Sequence, residues 1–384
     1  MSKRICFVGL DNYPVLNPAK GHEYFGGEAV QQTLLAKAFR DLGYAVSMVD
    51  RDFGQPDGEV IDGIRVWKTM KEGDGLPGFR FFHPRLTSVA RALRQADADI
   101  YYQSCAGVMT GAVAWFCRRN GRKFAFRIAH DTDCIPGKHI LGRLKWRDAM
   151  IYRYGIRRAD LIASQSKIQS KLLKDNFQLK SQIINLAVEP PSPADRGAER
   201  DIDVLWVNNI RDFKRPELVP ELAKRLPQFR FVMIGGQSRE HEGLYSDVEN
   251  KCRTVPNLEF LGQVPYRQVN RYFSRSKVFV NTSDSEGFPN SFLQAWIRGV
   301  PVVSFFDPDQ IIARKRLGAV PDSIEGMADT VAEILGNRNL IDGLSQNARD
   351  YAERHHSPDV IASQYIELLS TLPAQDGIRG PVFG

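Results

Sequence analysis

The sequence predicts an α/β protein made of two doubly wound domains, each with a parallel sheet covered by helices on both faces. Short apolar runs alternate with helical segments over residues 1–187, and the same alternation restarts after residue 200. The stretch between them has three prolines, a glycine and no apolar periodicity, which is typical of an interdomain linker. The length of 384 residues also fits two domains, at about 150 residues each.

The first half begins with a buried strand, Ile5–Leu10, and a polar loop, Asp11–His22. Apolar residues then recur at helical spacing over Glu28–Leu42, and Gly43 is a usual helix stop. Further strands are predicted at 45–49, 64–67, 100–103, 123–128, 161–164 and 183–185, with helices at 89–96, 107–119, 148–158 and 166–176. Strands separated by helices at this spacing indicate a parallel sheet.

The second half repeats this order. Strands are predicted at 203–207, 230–234, 258–261, 278–281 and 300–304, and helices at 216–226, 266–274, 291–298, 327–335, 340–354 and 358–369. We therefore expect domains at 1–187 and 201–356 joined by a linker at 188–200, with the segment 357–384 crossing back to the N-terminal domain. Ligands of such sheets bind at the carboxyl ends of the strands, here in a central cleft that the two domains face.

Composition excludes several classes of protein. Hydrophobic residues make up 43% and charged residues 25%, which are ordinary values for a globular chain. The near-apolar run Ala106–Phe116 is shorter than the roughly 20 residues that cross a bilayer, and the N-terminal apolar run stops at Asp11, too early for a signal peptide. Five cysteines without a C-x-x-C pair indicate free thiols in a reducing compartment. We therefore expect a cytoplasmic protein with no zinc site.

The most informative segment runs from Asn281 to Ser304, where a buried strand ends at a polar loop that opens a helix. Backbone N–H groups at such a helix start attract phosphate. Glu286 lies on the loop, and Gln294 lies two turns into the helix on the face near the loop. We expect the two side chains to hold the hydroxyls of a sugar and of a ribose. A generic strand–loop–helix junction has the same outline, so the segment alone leaves both interpretations open.

The whole string resembles the signature of the family-4 retaining glycosyltransferases, which have the GT-B fold of two Rossmann-like domains. The family pattern is Glu-Gly-Phe, five residues, Glu-Ala, three residues and Gly-x-Pro-Val-Val. This chain has Glu286-Gly287-Phe288, Gln294-Ala295 and Gly299-Val300-Pro301-Val302-Val303 at the same spacing. Several fixed residues over one short segment make this motif specific.

The resemblance implies that Glu286 binds hydroxyls of the donor hexose. It also implies that the diphosphate is bound by backbone amides of the residues that follow, namely Gly287, Phe288, Pro289 and Asn290. Gln294 departs from the family, which has a second glutamate there. Its amide offers the ribose one acceptor oxygen rather than two.

Two glycine-containing segments extend the resemblance to nearly the whole chain. The segment 25–28, Phe-Gly-Gly-Glu, follows the first strand as the family's glycine pair does. Lacking Cβ atoms, Gly26 and Gly27 would let the backbone approach the donor, although a Gly-Gly pair alone is more often a turn. Gly262 lies in the segment 258–264, which resembles the one whose backbone contacts the base.

The same resemblance gives a role to four further side chains, those of Lys214, Asn209, Arg211 and His130. Lys214 matches the diphosphate-binding lysine, while Asn209 stands where an arginine is usual and Arg211 is its nearby substitute. Without the resemblance, Lys214 would be a solvated loop lysine. His130 follows a strand at the position where a family histidine lines the donor-sugar pocket, whereas a lone histidine is more often structural.

The resemblance implies a front-face reaction, in which the acceptor hydroxyl attacks from the leaving group's side without a protein nucleophile. Lys214 and the helix-start amides can stabilise the leaving nucleoside diphosphate by preorganised electrostatics. We therefore expect no metal and no cofactor, with the nucleotide-diphosphate sugar as the donor substrate.

Positive charge is unevenly distributed. Lys and Arg outnumber Asp and Glu by 52 to 45, giving a net charge of +7, and the excess is concentrated between Arg118 and Arg158. Residues 138–158 mix basic side chains with Trp146, Ile151 and Tyr152, which suits the surface of an anionic membrane as well as a solvated helix face. No nucleic-acid-binding motif accompanies the charge. We expect peripheral contact with a membrane and none with nucleic acid.

The leading hypothesis is a retaining glycosyltransferase that moves a sugar from a nucleotide sugar to a saccharide or lipid-linked acceptor in polysaccharide or glycolipid biosynthesis. Two alternatives stay open. A nucleotide-sugar epimerase on the same fold would need catalytic carboxylates in the cleft. A non-catalytic nucleotide-sugar-binding protein is suggested by neutral Asn209 and Gln294 at usually charged positions.

Overall fold

The computed structural model describes residues 3–17, 26–75, 81–139, 142–193, 195–237, 242–284 and 286–372. The chain forms two compact units. The first unit contains Met1–Ala187 and Pro358–Gly384, and the second contains Val188–Ser357. Within the described residues, no helix combines the length and the apolarity needed to cross a membrane.

The first unit is built on an eight-stranded sheet in which every pair is parallel except β3–β4. Its strands are β1 Arg4–Val8, β2 Ala45–Asp50, β3 Glu59–Ile61, β4 Ile64–Lys68, β5 Ile100–Ser104, β6 Lys123–Arg127, β9 Leu161–Ser164 and β10 Gln182–Ile183, while β7 Lys138–His139 and β8 Gly142–Arg143 form a separate hairpin. Its helices are α1 Tyr13–Leu16, α2 Gly27–Asp41, α3 Thr87–Ala96, α4 Val108–Asn120, α5 Trp146–Ile156 and α6 Lys167–Phe177. The sheet order is β10-β9-β6-β5-β1-β2-β4-β3.

The second unit has a six-stranded, fully parallel sheet in the order β13-β12-β11-β14-β15-β16. Its strands are β11 Ile202–Val207, β12 Phe231–Ile234, β13 Leu258–Phe260, β14 Ser276–Asn281, β15 Val302–Ser304 and β16 Gly318–Ala319. Its helices are α7 Leu218–Arg225, α8 Glu242–Arg253, α9 Tyr266–Arg275, α10 Asn290–Trp296, α11 Ile311–Lys315, α12 Ile324–Gly336 and α13 Arg338–His356. Side-chain oxygens of Ser323 and Asn337 cap α12 and α13 by accepting backbone N–H groups.

The last helix, α14 Pro358–Thr371, packs in the core of the first unit. Ile5 and Phe7 of β1 face the same cluster as α2 and α14, whereas Cys6 and Val8 face the cluster on the other side of the sheet. This alternation is the period of two that a strand buried on both faces requires. The ring of Tyr365 on α14 lies edge-on to Tyr102 of β5, with 5.5 Å between their centroids.

Several elements differ from the sequence-based expectation, which did not include the short strands β3, β7, β8 and β16 or the helices α1, α8 and α11. Residues 11–22 were expected to form a loop, yet α1 lies within them, and Tyr13 is held by a backbone N–H donated to the buried Asp50 at 2.6 Å. Helix α8 is absent from the prediction. Its buried side is narrow, with Val248 and Cys252 four residues apart among polar neighbours, so its apolar periodicity is weak.

Residues with helical or strand periodicity were otherwise placed in the correct type of element, with boundary shifts of a few residues. Helix α10 begins at Asn290 and ends at Trp296, and β15 begins at Val302 rather than at Val300. The expectation of two α/β units with mostly parallel sheets is confirmed.

Ile361 on α14 tests whether this helix is part of the first unit's cooperative core. Its side chain is 2% exposed, so Ile361→Ala should lower the opening free energy of that unit by about 2–5 kcal/mol. Hydrogen exchange read by mass spectrometry should then accelerate in β1 and β5 and stay unchanged in β11 and β14. Glu367→Ala, at an exposed position of the same helix, is the control. Unchanged exchange in β1 and β5 would contradict this assignment.

Candidate active site

The carboxyl ends of β11 and β14 lie side by side in the second unit, at the point where the strand order reverses. From β11 the chain continues to β12 and β13 on one side, while β14 and β15 lie on the other. Ligands of open α/β sheets bind at such a switch point. The segments that follow these two strands carry Lys214 and Glu286, and the structure brings the two side chains together.

Glu286 is held by three side chains. Its Oε1 accepts hydrogen bonds from Asn281 Nδ2 at 3.0 Å and from Ser283 Oγ at 2.7 Å, and its Oε2 forms an ion pair with Lys214 Nζ. Asn281 Oδ1 in turn accepts from the backbone N–H of Ser283 at 2.8 Å. The carboxylate orientation is therefore fixed before any ligand arrives.

Lys214 ends a short 3₁₀ turn, Asp212–Lys214, that is docked on the segment after β14. Thr282 Oγ1 donates to the carbonyl oxygen of Lys214 at 2.7 Å and accepts from the buried Trp206 Nε1 at 3.0 Å. The backbone N–H of Asp284 donates to the carbonyl of Phe213 at 3.2 Å. These bonds position Lys214 independently of its charge.

The ammonium of Lys214 lies in a poorly solvated environment. Burial lowers its pKa, the neighbouring Arg211 guanidinium lowers it further, and the Glu286 carboxylate opposes both effects. The Lys214 side chain is 11% exposed and that of Glu286 is 12% exposed. Because so little solvent screens this ion pair, its electrostatic interaction with an incoming anion is strong.

Arg211 and Asn209 flank this pair on the segment after β11. Arg211 is half-buried, lies three residues before Lys214 on the same segment, and its positive charge lowers the pKa of that ammonium. Asn209 is exposed. The local charge therefore comes from Lys214 and Arg211 together.

Gly235 and Gly262 allow the ends of β12 and β13 to meet by their backbones. Gly235 N donates to the carbonyl of Gly262 at 2.9 Å, and Gly262 has a φ of 63°, in the left-handed region. A Cβ on Gly262 would lie 2.8 Å from Tyr245 Oη, and one on Gly235 would lie 2.6 Å from the carbonyl of Asn208. Only glycine suits both positions, so backbone rather than side chains forms this part of the sheet edge.

Gln294 lies on α10 and is directed toward α9. Its side chain is buried, and its Nε2 donates to Asn270 Oδ1 at 3.0 Å. This amide pair leaves Oε1 of Gln294 as the acceptor side of the group. Gln294 therefore has a partner on α9, Asn270, that the sequence pattern did not indicate.

The other residues of the motif divide into packing and backbone positions. The Phe288 ring packs against Trp296 and His356, with centroids 6.2 and 5.7 Å apart. Pro289 precedes α10 as its N-cap residue, and Asn290 is the first residue of the helix. Gly287 is half-buried beside Glu286.

His130 lies in the first unit, directly after β6, where it caps the short turn Asp131–Cys134. Its Nδ1 accepts the backbone N–H of Thr132 at 3.1 Å, so the neutral ring carries its proton on Nε2. Asp133 Oδ2 accepts the backbone N–H groups of Ala129 at 2.9 Å and His130 at 3.1 Å. Burial raises the pKa of Asp133 to about 6. The turn thus presents Nε2–H of a half-buried histidine as a hydrogen-bond donor.

Asp131 and Asp133 form an Asp-x-Asp pair at the end of β6, but both carboxylates are engaged by the protein. Asp131 Oδ1 accepts from Gln169 Nε2 at 3.0 Å, and Asp133 holds the backbone of the His130 turn. Among the described residues, no group of three His, Cys, Asp or Glu side chains is arranged to hold a metal ion.

The glycine pair after β1 opens α2. Gly26 is the N-cap and Gly27 the first helical residue, while Phe25, the first residue of the predicted motif, lies outside the described residues. Gly26 has a φ of −71°, and no described atom lies within 4 Å of a Cβ built on it. Neither its backbone conformation nor its described surroundings therefore requires glycine.

A polar group follows the glycine pair. Ser104 Oγ donates to Glu28 Oε1, and the buried Arg127 lies 3.7 Å from Glu28 Oε2. Burial raises the pKa of Glu28, and Arg127 opposes this effect. Glu28 lies on the helix after β1, Ser104 ends β5 and Arg127 ends β6, so these side chains share the carboxyl edge of the first sheet with His130.

Sequence reasoning missed the partners of the predicted residues. Asn281 and Ser283 lie inside the motif string, so their position at a strand end was a usable signal. Asn270 lies 24 residues before Gln294 on another helix, and nothing in the sequence connects the two.

Comparison with known proteins matches each of the two units to a family of glycosyl transferase domains. A family model described as "Glycosyl transferase 4-like domain" matches residues 26–177, in the first unit, and one described as "Glycosyl transferases group 1" matches residues 209–337, in the second. The O-antigen biosynthesis glycosyltransferase WbnH of Escherichia coli is 27% identical over 180 residues, which are 46% of this chain and 49% of that protein. The chain thus spans about half the length of the curated relatives it matches.

Two solved structures share the fold over nearly all of both chains. Sucrose-phosphate synthase of Thermosynechococcus elongatus has a TM-score of 0.75 at 18% identity, covering 96% of this chain and 99% of its own. HepE of Anabaena, in complex with UDP and glucose, has a TM-score of 0.72 at 15% identity, covering 96% and 100%. These likenesses confirm the predicted GT-B fold. The two family matches, over residues 26–177 and 209–337, show that this chain belongs to the group 1 glycosyltransferases with a glycosyl transferase 4-like N-terminal domain.

Proposed function

We propose that the protein transfers a sugar from a nucleoside-diphosphate donor to a saccharide or lipid-linked acceptor, with retention of anomeric configuration, in polysaccharide or glycolipid biosynthesis. The observation that carries this proposal is the buried Lys214–Glu286 pair at the switch point of the second sheet. One member is suited to a diphosphate and the other to sugar hydroxyls. The O-antigen relative and the UDP and glucose bound to HepE support the same substrate class.

Glu286 acts as the acceptor for donor-sugar hydroxyls. Asn281 and Ser283 already fix its orientation, so little conformational freedom is lost when a sugar binds. A carboxylate held by two neutral donors also keeps lone pairs for the ligand. Glu286 therefore positions the hexose rather than attacking it.

Lys214 stabilises the negative charge that develops on the leaving diphosphate. Its backbone is fixed through Thr282, so the ammonium needs no reorganisation when charge appears. When a diphosphate binds, Lys214 exchanges the Glu286 carboxylate for phosphate oxygens, and Arg211 adds a second positive charge. Since these side chains supply the cationic charge, we propose that transfer continues in the presence of EDTA.

Retention follows from a front-face reaction. The acceptor hydroxyl attacks the anomeric carbon on the side from which the diphosphate leaves, and a leaving oxygen takes its proton. The anomeric carbon–oxygen bond to the diphosphate breaks as the new glycosidic bond forms. We assign His130 Nε2–H to a hydrogen bond with the donor sugar.

Glu286→Gln tests the central assignment. Loss of the negative charge weakens the hold on sugar hydroxyls and leaves Lys214 without its partner, so turnover should fall more than tenfold, about 1.4 kcal/mol in activation free energy. The measurement is UDP release from UDP-hexoses with and without a saccharide acceptor. Asp284→Asn, an exposed carboxylate paired with Arg215, is the matched control.

The same assay separates the alternatives. If Glu286→Gln keeps more than about a tenth of wild-type turnover, the assignment of Glu286 to the site is wrong. Nucleotide binding without sugar transfer to any acceptor would instead indicate a binding protein. Interconversion of sugars without UDP release would indicate an epimerase.

Gln294→Glu tests the ribose contact. A carboxylate offers two acceptor oxygens, and the Asn270 amide can turn its Nδ2 toward it, so UDP should bind as tightly as before or more tightly. Isothermal titration of UDP measures this, with Gln268→Glu at an exposed position of α9 as control. A tenfold or greater weakening specific to Gln294→Glu would show that the site requires the amide, and the ribose assignment would be wrong.

We also propose that α5 contacts an anionic membrane. The side chains of Trp146, Met150, Arg153 and Arg157 are exposed and spaced along one stripe of this helix, with Trp146 75% and Met150 57% exposed. The two other apolar residues predicted to take part do not share this stripe. Tyr152 is buried with its hydroxyl donating to the Asp133 carbonyl, and Ile151 lies against Gly111 of α4.

Charge removal tests this contact. Each basic side chain near an anionic surface contributes about 1 kcal/mol, screened within about 8–10 Å. Exchange to glutamine should therefore abolish co-sedimentation with anionic vesicles at low salt when four positions are changed together: Arg143, Lys145, Arg147 and Arg153. The matched variant changes four exposed bases outside the stripe: Arg94, Lys171, Lys174 and Lys180. Failure of the wild type to sediment at low salt would identify the stripe as a solvated helix face.

A further inference from the structure

The first unit contains a cavity of about 540 Å³ that none of the assignments above uses. It opens beside the ends of β1, β2 and β4 and the start of α5. Its walls are formed by Leu10, Arg51, Met70, Lys71, Glu72, Gly73, Asp74, Arg85, Lys145, Arg147 and Asp148. The volume is in the range of small-molecule sites, about 300–1,000 Å³.

Basic groups predominate in this cavity, and several are uncommitted. Arg51 is paired with Asp11 and Glu72, and Arg147 with Asp148. By contrast, Nε of Arg85 is buried without a hydrogen-bond partner in the described part of the chain. Within the same residues, the ammonium groups of Lys71 and Lys145 form no ion pair. The cavity wall therefore contains positively charged groups that have no anionic partner among the described residues.

Arginine with neighbouring lysines suits phosphate, because the guanidinium offers a planar pair of donors and the ammonium groups add compact charge. A neutral sugar would satisfy hydrogen bonds but leave the excess charge uncompensated. The carboxylates of Glu72 and Asp74 in the same wall are acceptors for hydroxyls.

We propose that this cavity binds the phosphate of the acceptor, with hydroxyls of the same molecule on Glu72 and Asp74. The inference rests on the proposed function and narrows its acceptor to a phosphate ester. Two sources have this chemistry, a soluble sugar phosphate and a phospholipid head group. Lys145 and Arg147 connect the cavity wall to the exposed stripe of α5, so either source can reach it.

The first arm uses a soluble probe on UDP-saturated protein. Glucose 1-phosphate is titrated by calorimetry, and methyl glucoside is the neutral comparison. The double variant Lys71→Gln with Arg85→Gln removes two donors outside the basic stretch 138–158, so it is independent of the membrane contact. Arg94→Gln with Lys171→Gln removes equal charge at exposed positions elsewhere.

The second arm uses vesicles. Phosphatidylcholine vesicles containing phosphatidic acid are compared with vesicles of equal surface charge containing phosphatidylserine, again with UDP present. Preference for phosphatidic acid that the Lys71/Arg85 variant abolishes would identify the lipid as the source. Binding of glucose 1-phosphate that the same variant weakens about tenfold or more, with the control unchanged, would identify the soluble ester.

Absence of both effects, or binding that the Lys71/Arg85 variant leaves unchanged, overturns the proposal. Unaltered hydrogen exchange in β1 and β5 of that variant shows that its first unit is folded. Should UDP, GDP and ADP all fail to bind the wild type, the proposed function fails, and the same titrations on nucleotide-free protein still decide whether the cavity takes phosphate.

Discussion

The burial of one ion pair, Lys214 with Glu286, constrains everything around it. With each side chain little more than a tenth exposed, removing one charge would leave the other poorly compensated. The protein therefore joins the segment after β11 to the segment after β14 by bonds that do not involve the charges, through Thr282 and Trp206. An incoming ligand has to offer Lys214 at least what Glu286 offers, which favours a diphosphate over weaker anions.

Sequence reasoning succeeded where a local pattern determines the outcome. Glu286 and Lys214 follow buried strands, and parallel strands align such positions at one edge of a sheet. It failed where the structure depends on contacts between distant segments, and where the apolar pattern of an element is weak. Asn270 contacts Gln294 only because α9 packs beside α10. Helix α8 has few apolar side chains that pack in the core. Tyr152 was grouped with the basic side chains of the segment expected to contact a membrane, yet the packing of α4 against α5 buries it.

The exchange of a family glutamate for Gln294 affects the electrostatics of the site. A second carboxylate at this position would offer the ribose two acceptor oxygens, whereas the amide of Gln294 offers one. The neutral Gln294–Asn270 pair keeps that one acceptor oxygen and adds no negative charge to the sheet edge.

The position of α14 determines the order in which the protein is completed during synthesis. The second unit is one continuous segment, so all of its strands are available once residue 357 has been made. The first unit starts earlier, yet Phe7, Tyr102 and α2 lack their covering helix until the segment from Pro358 emerges. Of the two units, the first is therefore begun before the second and completed after it. During that interval its apolar surface is a substrate for chaperones, and a ribosome that stalls before residue 358 releases an incomplete core.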